Sequence, residues 1–302
     1  MYYRRKILLL LLETFGGELS KIHLQKFLFL FCRLESTTNV YDFIPYKYGC
    51  YSYQSVGDLH TLQKYGMVAE TENGWCLKNY DKSIFSKVTM FDKTAINHLK
   101  REYKDASAED LMRETYLKYP YWAINSIKAK KILSVKEYAE VEKEKPKKET
   151  TTLFTIGYEG LSIEKYFNLL IINNIKVLCD VRKNALSQKI GFSKSALQRV
   201  CEALQIKYVH IPELGIISEK RQSLKTQKDY DILFDEYETT QLPNQTDYIE
   251  QVFDLLEKHK RIALTCFEAS FCQCHRSKIA DAVAKLPQWE YELIHLNHNQ
   301  NG

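Results

Sequence analysis

The sequence contains no G-x-G-x-x-G turn and no G-x4-G-K-[ST] loop; its nearest approach is the tetrapeptide GYEG at positions 157–160. Glycines at those spacings let backbone amides close on a pyrophosphate, so their absence argues against dinucleotide-dependent redox chemistry and P-loop nucleotide hydrolysis. No C-x2-C arm occurs either, although the chain holds 8 cysteines. Without paired arms the spacing C-x5-C-x-C-H of Cys266, Cys272, Cys274 and His275 is a weak zinc pattern, and inert buried thiols are expected instead. Secreted-type cysteine pairing and a signal peptide are both lacking, which predicts a reducing cytoplasm. Long hydrophobic runs are missing as well. The stretch 6–12, preceded by Arg4 and Arg5, falls far short of the ~20 residues that span a bilayer, so it reads as a core helix and no membrane partner is expected.

A strong charge of one sign is also missing, for the net charge is only +5. Its distribution is uneven: residues 1–150 hold 25 Lys and Arg against 19 Asp and Glu, whereas the remainder holds 18 against 19. The basic excess is N-terminal and favours an anionic partner for that half.

What is present is ordinary globular material, 45% hydrophobic and 27% charged over 302 residues, enough for two domains. Residues 2–15 show helical spacing of Ile7, Leu8, Leu11 and Leu12, ended by Gly16 and Gly17. Ser20 can cap a second helix carrying Leu24, Phe27, Leu28 and Phe31, and a third is centred on residues 54–65. Asn73-Gly74 then marks a hairpin over 68–77. Three helices and a hairpin follow the order of a winged-helix domain, which residues 1–80 resemble in that order. Lys47, Tyr48 and Tyr51 are the candidate nucleic-acid contacts there, with half-buried tyrosine packing as the competing account. Residues 81–140 read as a helical extension. Residues 141–152 lack apolar periodicity, contain Pro146 and read as a linker.

From residue 153 short apolar runs alternate with amphipathic helices, the pattern of an α/β domain with a mostly parallel, Rossmann-like sheet. Strands are expected at 153–156, 176–180, 207–211, 261–266 and 291–296, with helices at 162–172, 193–203, 246–259 and from 275 onward. Ligands of open parallel sheets bind beyond the carboxyl ends of the strands. That rule collects Tyr158 and Glu159 after the first strand, Asp180 and Arg182 after the second, His210 at the third, and Glu268, His275 and Arg276 after the fourth. Asp180, Glu268, His210, His275 and Glu159 are the candidate acids and bases. Tyr158, Arg182, Lys194 and Arg276 are the candidate substrate contacts, guanidinium groups being suited to phosphate. A structural ion pair is the alternative role of Asp180 beside Arg182. Residues 215–227 lack periodicity, and Lys220 and Arg221 make that loop a candidate backbone clamp.

Cys266, Glu268, Cys274, His275 and Arg276, together with TIGYEG at 155–160, DVR at 180–182 and HIPELG at 210–215, resemble the signature of the domain of unknown function 488 family over about residues 152–296. The resemblance implies a role in nucleic-acid or nucleotide processing. The resulting expectation is a DNA-binding hydrolase that cleaves N-glycosidic or phosphodiester bonds, by analogy in phage defence or modified-base surveillance. A transcriptional regulator whose α/β domain senses a nucleotide or modified base without turnover is the alternative. No cofactor and no thiolate-held metal are expected, although a phosphodiesterase would use a divalent ion.

Overall fold

The computed structural model describes residues 1–34, 38–217 and 226–297. The chain divides into two compact units, Met1–Lys145 and Pro146–Gly302.

In the first unit the order is α1 (Tyr3–Thr14), β1 (Glu18–Ser20), α2 (Lys21–Cys32), β2 (Ile44–Tyr46), β3 (Gly49–Tyr51), α3 (Tyr53–Lys64), β4 (Val68–Glu70) and β5 (Gly74–Leu77). Then follow α4 (Met90–Tyr103), α5 (Ala108–Lys118), α6 (Ala129–Ile132) and α7 (Val135–Glu144). Ser20 caps α2 by accepting from the His23 N–H at 3.2 Å, which fixes where the strand becomes helix. Strands β1, β5 and β4 form one antiparallel sheet in that order, and β2 pairs with β3. The three-residue strands β1, β2 and β3 escape a pattern search because they are too short to show alternation. Leu8, Leu12, Phe27, Phe31, Leu59 and Leu62 fill the core of this unit, and Leu99 and Leu111 of the following helices belong to the same core. Each such side chain contributes about 1.5–3 kcal/mol by leaving water.

The expected linker needs correction at its start. Residues 141–144 are helical because α7 has a capping box, Ser134 with Glu137, and buries Val141, while Lys143 pairs with Glu140 at 2.7 Å. A period search missed this turn because a single buried valine leaves no repeat.

The second unit contains β6 (Thr152–Gly157), α8 (Ile163–Ile172), β7 (Val177–Asp180), α9 (Lys194–Ala203) and β8 (Lys207–His210). It continues with α10 (Gln227–Glu236), α11 (Thr246–His259), β9 (Arg261–Cys266), α12 (His275–Ala284) and β10 (Glu292–Leu296). All five strands are parallel, in the order β10-β6-β9-β7-β8. That departs from the 3-2-1-4-5-6 order of a Rossmann sheet. Here the fourth strand, β9, is inserted between the first and the second. Being central, β9 is buried at all six positions, which is why its run RIALTC carries no polar alternation.

Parallel connections turn right-handed, so the chain's steps in one direction along the sheet (β6 to β7 to β8) and in the other (β8 to β9 to β10) place their helices on opposite faces. The packing agrees. Leu233 and Phe234 of α10, Ile249, Val252 and Phe253 of α11, and Ile279, Ala280 and Val283 of α12 share one buried cluster with Ile262 and Leu264, and no residue of α8 or α9 belongs to it.

Candidate functional site

Strands β6, β7 and β9 end side by side, so the residues just past Gly157, Asp180 and Cys266 meet at one edge of the sheet. A cleft of about 550 Å³ opens there. Its walls include Tyr158 and Glu159 after β6, Arg182, Lys183 and Lys189 after β7, and Cys266, Phe267 and Glu268 after β9, with His275 from the start of α12. Glu159 is exposed, and one of its carboxylate oxygens accepts from the Ala269 N–H at 2.9 Å, which ties the β6 loop to the β9 loop. Lys189 donates to the Tyr158 carbonyl at 2.7 Å. Partial burial lowers the pKa of this ammonium group, with the charge of Glu159 acting in the opposite direction.

The loops can approach this closely because two positions carry no side chain. A Cβ on Gly157 would lie 1.7 Å from the Glu268 carbonyl oxygen, and one on Gly215 would lie 2.1 Å from the Lys183 nitrogen. Both are collisions with backbone, so neither can be relieved by a rotamer change.

Asp180, expected as a catalytic acid or base, is not among the residues that line the cleft. It is fully buried, and Arg182 grips it with Nε–Oδ1 at 2.8 Å and Nη2–Oδ2 at 2.5 Å. Tyr208 donates to the same carboxylate at 2.6 Å. Arg182 Nη1 donates onward to the Tyr158 hydroxyl at 2.7 Å and to the Phe192 carbonyl at 2.9 Å. Tyr158 in turn stacks on Phe192, ring centroids 4.4 Å apart. Burial raises the pKa of Tyr208, and the Asp180 carboxylate pushes it further up; burial works against the charge of Arg182, but the hydrogen bonds and charge of Asp180 and Tyr158 raise its pKa overall. This is the ion pair of the alternative reading, and it holds the cleft wall rather than a substrate.

His210 and Lys194 also lie outside the cleft walls. Lysine has donors only, so Lys194 Nζ, 3.1 Å from His210 Nδ1, makes that nitrogen the acceptor. Nε2–H then donates to the Arg182 carbonyl at 2.9 Å. Arg276 is corrected too. Its guanidinium is fully buried and donates to the carbonyls of Glu268 at 2.6 Å and Ala269 at 3.2 Å, which makes it a clamp on the β9 loop instead of a phosphate contact. The spacing C-H-R puts it one residue beyond His275 on α12, and a helix turns that next side chain away from its neighbour's direction.

His275 is itself buried, and its Nε2 lies 3.0 Å from the Val181 carbonyl. A carbonyl only accepts, so Nε2 carries a proton, and in a neutral ring the lone pair is on Nδ1. Nδ1 points to Cys266 Sγ at 3.7 Å and Cys274 Sγ at 3.9 Å. One ligand atom each from Cys266, Glu268, Cys274 and His275 lies within 4.8 Å of all the others. Cys272, by contrast, is exposed.

Sequence reasoning missed Lys183, Lys189, Phe192 and Tyr208. A signal existed for Tyr208 alone, which sits two residues before His210 and therefore on the same face of β8. In the first unit, Lys47 and Tyr48 form the exposed tip between β2 and β3, and Tyr51 packs against Tyr46 and Tyr53 at centroid distances of 5.0 and 4.8 Å. Lys220 and Arg221 lie outside the described residues.

Residues 162–283 match the family model described as "Domain of unknown function DUF488". That span takes in α8 through most of α12, and with it Asp180, Arg182 and the cysteine–histidine cluster. No curated protein and no solved structure was found to match the chain. Among the described residues no helix is long and apolar enough to cross a membrane.

Proposed function

We propose that the chain is a nucleic-acid-processing protein, in which a winged-helix first unit binds duplex DNA and the second unit hydrolyses a bond in a nucleotide held in its cleft. The observation that carries this reading is the cleft itself. Carboxylates from two strand ends, Glu159 and Glu268, face a wall that includes Lys183 and Lys189. Cations of that kind suit phosphate, carboxylates suit activation of water, and Phe267, 43% exposed and edge-on to Tyr158, offers a face for a base. For the first unit, support comes from three helices and a closing hairpin in the order α1-β1-α2-β2-β3-α3-β4-β5, with an antiparallel β1-β5-β4 sheet and an additional β2-β3 hairpin before α3; α3 would be the helix entering the major groove and the β4–β5 hairpin would lie beside it.

The test uses the full chain against duplex, single-stranded and free-nucleotide substrates. Turnover of at least one of these is expected, and Glu159→Gln should abolish it while leaving binding intact. Glu159 is exposed, so loss of activity there is not loss of fold. Binding without turnover in the wild type would instead support the sensor reading.

A further inference from the structure

We infer that Cys266, Glu268, Cys274 and His275 form a binding site for one zinc-class divalent ion at the floor of the cleft. The site is defined by its own four side chains and does not depend on what the cleft binds.

The spacing of these residues argued against a metal, because a tetrahedral site requires the loop to fold back so that the end of β9 and the start of α12 present ligands to one point. The loop does so. A short turn at Phe271–Gln273 returns the chain, and Cys274 and His275 open α12 directly over Cys266. Tetrahedral bonds of about 2.0–2.3 Å imply ligand-to-ligand edges of about 3.3–3.8 Å. The Nδ1-to-sulfur distances of 3.7 and 3.9 Å fall at that value or just above it, so small movements bring the ligands to bonding distance.

Three further features favour an ion over a chance cluster. The first is the histidine tautomer: Nε2–H is committed to the Val181 carbonyl, which orients the ring with the Nδ1 lone pair towards both thiols. A ligating imidazole is held in just this way by an outer hydrogen bond. The second is charge. Arg276 is fully buried, makes no ion pair among the described residues and leaves its Nε without a hydrogen-bond partner. Two thiolates and a carboxylate around a divalent ion carry one net negative charge, which that guanidinium balances. The third is the donor set. Two sulfurs and one imidazole select zinc, or cobalt and ferrous iron in its place, over magnesium or calcium. On binding, the two thiols release their protons to solvent and each sulfur bonds the ion as a thiolate. Glu268 and His275 both line the cleft, so the ion sits within reach of a bound substrate.

The full chain, purified without chelator, is assayed for metals by mass spectrometry, then stripped and titrated with Zn²⁺ against a chromophoric chelator and with Co²⁺ alone. One equivalent is expected, with thiolate-to-cobalt charge-transfer absorption and the intense visible bands of a tetrahedral site. Cys266→Ser and Cys274→Ser should each lose both signals. Glu268→Gln, which leaves both buried sulfurs in place, should keep the charge-transfer band and weaken zinc retention. Cys272→Ser is the control and should bind as the wild type does. Failure to bind stoichiometric zinc, binding that survives both Cys266→Ser and Cys274→Ser, or dependence on Cys272 would overturn the proposal. So would a Cys266–Cys274 disulfide in protein kept under reducing conditions. None of these readouts involves turnover, so they separate this site from the hydrolase reading.

Discussion

Asp180 and Glu159 are both acids at strand ends, yet their surroundings assign them opposite work. Asp180 has Arg182 and Tyr208 on its oxygens and no exposure, so Asp180→Ala leaves a buried guanidinium without its counter-ion. We expect that substitution to cost about 3–5 kcal/mol of stability, read from guanidinium denaturation. Glu159→Gln, at an exposed position, should shift the same curve hardly at all. Similar losses for the two variants would contradict this division. Gly157 makes a second case at this scale. Its missing Cβ is the condition for the Glu268 carbonyl to pass the end of β6, and Gly157→Ala should destabilise by about 1–3 kcal/mol through overpacking. Because the displaced loop carries Glu268, the same variant should also lower zinc retention.

Among the elements, α2 has an anomaly in its buried face. Lys26 is 1% exposed, and it donates to the Tyr48 carbonyl at 2.5 Å and approaches Cys50 Sγ at 3.3 Å, holding α2 to the turn between β2 and β3. Burial lowers its pKa from 10.5. The sign follows from the depressed folded value. The cost of burying the cation is absent above the unfolded pKa, builds as the pH falls below it and is complete below the folded pKa. Lys26→Met should therefore gain stability relative to wild type at neutral pH, and the gain should shrink as the pH approaches 10.5. Thermal melts of both proteins across that range check it; a gain independent of pH would mean that packing, not charge, is responsible. The tip beside Lys26 also carries the exposed Lys47 and Tyr48, so α2 braces the turn proposed to contact nucleic acid.

For the molecule as a whole, the N-terminal basic excess predicts duplex binding that weakens with salt. The slope of log affinity against log salt should be about −0.9 for each phosphate contacted. Anisotropy titrations of the full chain measure it, and Lys47→Glu should flatten the slope. A salt-independent affinity, or none at low salt, would make the first unit a protein-docking module instead.

Local pattern sufficed where a property belongs to a few neighbouring residues. The five parallel strands, the helices between them and the placing of Glu159, Glu268 and His275 at strand or helix ends all follow from apolar period and capping, because burial on a sheet or helix face selects side chains at fixed spacing. What the sequence did not carry is which strand lies beside which. Insertion of β9 between β6 and β7 is a packing outcome of long-range pairing, and it brings Cys266 and Glu268 beside Tyr158 and Arg182. Nor does spacing say which way a side chain faces when a loop reverses. Arg276 turns inward to the loop carbonyls, Asp180 is closed off by Tyr208, and the turn at Phe271–Gln273 swings Cys274 and His275 over Cys266. Those three outcomes depend on contacts between residues far apart in the chain or across a turn, so only the tertiary structure could decide them.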